Sequence, residues 1–146
     1  METNLAARED AATILKLYEL RTEPVMREAR HWLAAEFWPD SAEELFSVLA
    51  DFGSPRHRQL RQVTTYWEMA AALVNHGILA AALFCDTNSE PFFLMAKFRP
   101  FVEEVRRRSP DFLKQMEQLC EQSAVAKQKL EAMAAAVERR RSTAVR

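Results

Sequence analysis

At 146 residues the chain has the length of one domain and can bury about two-thirds of its unfolded surface, so it needs neither disulfides nor a metal to keep a core. Apolar residues at 49% and charged residues at 28% exclude a disordered chain. The net charge of −1 hides an uneven distribution: residues 1–105 hold ten Lys/Arg and sixteen Asp/Glu, net −6, and residues 106–146 hold ten and five, net +5.

Two glycines and six prolines punctuate the chain. A hydroxyl stands just before proline at Thr22-Glu23-Pro24, Ser54-Pro55, Ser89-Glu90-Pro91 and Ser109-Pro110. That pattern predicts helix N-termini, because the oxygen serves orphan N–H groups and the proline has none to orphan. The first helix is expected over 7–20, with Ala11, Ile14, Leu15 and Tyr18 inward. The second spans 23–37, burying Val25, Ala29, Trp32 and Leu33, and Pro39 stops it. The third spans 41–52, opened by the capping-box spacing of Ser41 and Glu44, with Leu45, Val48, Leu49 and Phe52 as its stripe. The fourth spans 55–76. Leu60, Val63, Trp67, Ala70 and Val74 alternate three and four, and Met69 and Leu73 add a second apolar face. A helix apolar nearly all round is buried on several sides, so its second half is the expected centre of the fold.

Met69 to Cys85 carries no formal charge, but Asn75-His76-Gly77 interrupts it. A spanning helix needs about 20 apolar residues, so two buried helices meeting at a corner are expected, with Gly77 left-handed. The fifth helix spans 78–86. The sixth starts near Pro91 and is rich in phenylalanine, and Pro100 should kink or split it near Arg99. The seventh runs over 110–140, where Phe112, Met116, Leu119, Ser123, Ala126, Leu130, Met133 and Val137 form a heptad seam weakened at Ser123 and Ala126. The expected fold is all-α: six or seven helices in a single domain, with a buried central helix and a long C-terminal helix. A helical body occupies 1–124, and 125–146 is its basic C-terminal helical extension.

Motifs for chemistry are sparse. Glu28 and His31 have di-iron spacing but no second copy, His57 lies between arginines, and His76 suits a helix C-terminus. No zinc signature, Gly-x-Ser-x-Gly, Cys-x-x-Cys or glycine-rich phosphate loop occurs, so no catalytic residue, cofactor or metal site is expected. Cys85 and Cys120 read as reduced core residues of a cytoplasmic protein, and charged residues up to Asp10 argue against a secretory signal. Glu68 breaks the local rule, standing between Trp67 and Met69 in the most apolar stretch. A buried carboxylate needs a partner, and Arg99 or Lys97 of the sixth helix is the expected one. A solvated cleft edge and a ligand-facing acid are the alternatives.

The stretches Tyr66-Trp67-Glu68-Met69-Ala70, Leu73-Val74, Gly77-Ile78-Leu79 and Phe98-Arg99-Pro100-Phe101-Val102 with Arg106-Arg107 resemble a bacterial helical family known only as a domain of unknown function. The resemblance covers roughly residues 15–122 and implies a fold without an activity. Many of its members look as though they carry an N-terminal membrane span, and none is expected in this chain. The leading expectation is a non-catalytic interaction or scaffold protein that self-associates, as a homodimer, through an uncovered Leu130, Met133 and Val137 stripe. The alternative is a regulatory module whose Arg139, Arg140 and Arg141 bind an anionic partner, nucleic acid or a lipid headgroup. An enzyme with a Glu68-centred pocket is the third.

Overall fold

The computed structural model describes the backbone of residues 2–144 and the side chains of residues 7–143. Among the described residues there are eight α-helices and no strand. They are α1 Glu2–Arg21, α2 Pro24–His31, α3 Ala42–Ala50, α4 Pro55–Asn75, α5 Ala81–Thr87, α6 Glu90–Val105, α7 Lys114–Gln122 and α8 Ala124–Ala144. A π-helical turn, Trp32–Glu36, continues α2.

The eighth helix comes from a break in the expected 110–140 run. Ser123 is extended, at φ −112° and ψ 120°, and ends α7. Its hydroxyl then accepts the Ala126 N–H at 3.3 Å, opening α8. The weak seam position is therefore a cap, a role that serine prefers to a helix interior. Pro100 does not split α6, which runs unbroken past it. Packing of α6 against both α3 and α8 holds the two halves together where proline removes one ladder bond.

The caps divide in the same way. Ser54 accepts from His57 N–H at 3.1 Å, and Ser41 from Glu44 N–H at 3.2 Å. Thr22 instead donates to Glu19 O, Ser89 makes no side-chain cap, and Ser109-Pro110 lies in a turn before α7. His76 is the C-cap residue of α4, and Gly77 follows at φ 75°.

The centre of the fold is where the periodicity puts it. Leu60, Val63, Trp67, Ala70 and Val74 are buried along α4, which packs on α2, α3 and α7. Phe92, Met95 and Phe98 of α6 and Phe84 of α5 complete the core. Several inward assignments fail at the rim. On α1 it is Leu17 that is buried, while Leu15 and Tyr18 are 67% and 56% exposed. Val25, Phe52 and Met69 also face out. Which apolar positions of a helix are covered depends on its neighbours, which periodicity within one helix cannot report.

Candidate binding surfaces

Glu68 does not pair with Arg99 or Lys97. Its two carboxylate oxygens accept the N–H groups of Gln115 and Met116, both at 2.9 Å. These are orphan donors of the first turn of α7, so Glu68 caps that helix from α4. Arg99 lies on the exposed side of α6 and bonds Glu131 at 2.9 Å, and Lys97 points the other way into the core. Burial raises the Glu68 carboxyl above its ordinary range, and the two N–H bonds and the Arg106 charge oppose the rise.

Beside Glu68 lies a cleft of about 420 Å³ lined by Arg61, Thr65, Ser109, Asp111 and Phe112. Leu113 at its edge is the one described non-glycine residue with positive φ, at 54°. With both oxygens holding backbone N–H groups, Glu68 there is a committed acceptor and not a free acid. Among the described residues no group of three or more His, Cys, Asp or Glu could hold a metal ion.

A second polar cluster was not legible in the sequence. Glu90 accepts Arg30 Nε at 2.9 and 3.0 Å from its two oxygens, and the Trp67 indole N–H at 3.0 Å. Arg30 also donates to Arg21 O at 3.2 Å. Arg21 covers the Trp67 ring and bonds Asn88, and Tyr66 donates to Leu17 O. These contacts tie α1, α2, α4 and α6 together across some sixty residues of chain. The only local sign was an acidic residue opening a phenylalanine-rich helix.

Lys97 is fully buried. Its ammonium donates to Leu33 O and, at 2.8 Å, to Phe37 O, carbonyls freed at the end of the π-helical turn. Trp38, Phe93 and Phe98 present their faces to it at 4.8, 5.5 and 5.1 Å. Burial first, and then the Arg140 and Arg141 charges, push its pKa down to about 7.

The C-terminal stripe is covered. Leu130 and Val137 are buried and Met133 is half-buried against the core, because α8 lies along α6 and touches α5 and α7. The expected overhang fails because the Ser123 turn folds α8 back across the body. Arg141 donates to Lys97 O at 3.0 Å, and Arg140 covers the Trp38 ring at 4.6 Å. Arg139 is exposed.

The thinly covered surface lies at the other end of the chain. Most of the described side chains of α1, residues 7–21, are exposed, and Leu17 is the buried one among them. An apolar groove of about 360 Å³ runs between α1 and α4, lined by Ala12, Lys16, Leu17, Leu20, Met69 and Leu73. Leu15 and Tyr18 are also exposed on α1 but do not line it.

The chain belongs to the DUF4760 family, a domain of unknown function. The family model matches residues 6–123, that is, α1 to the end of α7. No curated protein and no solved structure matches the chain. The matched region holds the Glu68 cap, the Glu90 cluster and the α1–α4 groove, whereas α8 lies outside it. No described helix is long and apolar enough to cross a membrane.

Proposed function

We propose that the chain is a non-catalytic interaction protein that self-associates through the face made by α1 and α4. The observation that carries this reading is the apolar groove between α1 and α4, with Leu20 and Met69 in its lining at 39% and 49% exposure and Leu15 elsewhere on α1 at 67%. An exposed apolar groove of this kind usually marks an interface.

A second copy is the fitting occupant because the face is self-complementary. Two antiparallel α1 helices related by a twofold axis between residues 17 and 18 set Leu15 opposite Leu20 and Lys16 opposite Glu19. Apolar side chains then meet apolar ones, and each lysine meets a glutamate. Self-association through Leu130, Met133 and Val137 loses its basis, since that stripe packs inside one copy.

Light scattering on the full chain tests the proposal. The expected result is a dimer at high micromolar concentration, reduced to a monomer by Leu15→Lys with Leu20→Lys while helical content is kept. A monomeric wild type, or a dimer indifferent to the double substitution, overturns it.

A further inference from the structure

Three cations converge on the Trp38 indole. Lys97 Nζ lies 4.8 Å from the ring centroid, and the guanidinium carbons of Arg140 and Arg141 lie at 4.6 and 5.5 Å. All their hydrogen bonds end on backbone carbonyls, those of Leu33, Ala35, Phe37, Pro39 and Lys97. Among the described residues none of the three forms an ion pair. Glu36, Asp40 and Glu138, nearby in sequence, are exposed, and Glu36 faces His31. Carbonyl dipoles and aromatic faces carry no net charge, so the two guanidinium charges, and that of Lys97 when protonated, stay uncompensated.

The cluster differs from an ordinary solvated helix end. Its innermost cation is sealed in the core, where its field is little screened. Burial does most to push the Lys97 ammonium down, and the Arg140 and Arg141 charges add to it. Arg140 is exposed and holds one long contact, 3.4 Å to Ala35 O, so most of its donors are unused. Guanidinium forks match tetrahedral oxyanions, and a dianion balances this cluster better than a single carboxylate.

We propose that the Trp38, Arg140 and Arg141 corner is an anion site that takes a phosphate group, with Arg140 in contact and Lys97 beneath supplying field. The site is independent of the α1–α4 face. The group can arrive on a small soluble phosphate compound or on a lipid headgroup, and the two are told apart by experiment.

Titration calorimetry with sodium pyrophosphate at constant ionic strength is the first arm. The second is sedimentation with phosphatidic acid vesicles, with phosphatidylcholine vesicles as reference. Arg140→Gln should weaken binding at least about tenfold, the worth of one charge-assisted contact, while Arg139→Gln changes it less than about twofold. Heat with pyrophosphate assigns a soluble phosphate, and vesicle binding without heat assigns a headgroup. No binding in either arm, or equal loss in both variants, overturns the site and leaves the cations to their carbonyls. Circular dichroism of Arg140→Gln, whose side chain is exposed, confirms that it folds.

Discussion

Trp67 donates its indole N–H to Glu90 Oε1 at 3.0 Å, and the same carboxylate grips Arg30 through two nitrogens. One acid thus satisfies the largest core side chain and the cation beside it. Glu90→Leu leaves both donors without an acceptor. The pair is part-buried, with the two side chains 25% and 18% exposed, so we expect a loss of about 2 kcal/mol, between a surface pair and a fully buried one. Glu90→Gln keeps an acceptor and should cost about 1 kcal/mol. Urea unfolding of the two variants checks the order, and equal losses would count against the shared-acceptor role.

Glu68 is bound to α7 and not to α6, and the substitutions that distinguish these are simple. Glu68→Ala removes the cap of α7 and should destabilise by about 1–2 kcal/mol. A double-mutant cycle of Glu68 with Arg99 should give coupling near zero. Amide exchange should quicken at Gln115 and Met116, whose N–H groups Glu68 holds. Coupling well above zero would restore the α4–α6 pair.

The depressed pKa of Lys97 makes stability depend on pH. The unfolded lysine holds its proton up to about its ordinary value of 10.5, and the folded one releases it near 7. Between these values the unfolded state binds more protons, so stability rises with pH, by at most about 1.4 kcal/mol per unit. The contribution is full above 10.5 and is lost as pH falls through about 7. Cys120 acts in the opposite sense. Burial pushes its thiol up to about 12, so its contribution is present below 9.0 and is lost as pH rises through that interval. The difference between the wild type and Lys97→Met, measured from pH 6 to 9 by urea unfolding, isolates the lysine. A flat difference would refute the assignment.

Deletion of residues 125–146 should unfold the protein. α8 puts Ala126, Leu130 and Val137 into the core and covers α6, so its loss uncovers Met95 and Phe92. Circular dichroism and a loss of cooperative melting report this. A truncated body that still melts cooperatively would show α8 to be an accessory.

The sequence was most legible where one helix carries its own evidence. The three-four spacing along α4 located the core, and the side chains of Ser41 and Ser54 marked helix starts by themselves. What it hid was relational. Lys97 looks like a surface lysine among phenylalanines until the carbonyls of Leu33 and Phe37 arrive from another helix. Glu68 was visible as an anomaly, but its partners are main-chain N–H groups, which every residue has and which therefore leave no signature in composition. The C-terminal seam was visible too. Its destination depended on the Ser123 turn, a choice between cap and interior that a lone serine leaves open.

The π-helical turn sets the register of the Trp38 corner. Phe37 N–H reaches back five residues to Trp32 O at 2.9 Å, where an α-helix would reach four. Such a turn amounts to one residue inserted into a helix. Closing the same residues as an α-helix, with none excised, would swing everything after them by up to about 100°. Trp38 would then leave Lys97, and the carbonyls that receive the ammonium would close into the ladder. The cost of a buried lysine and the existence of this corner are thus set by the number of residues that one turn spans.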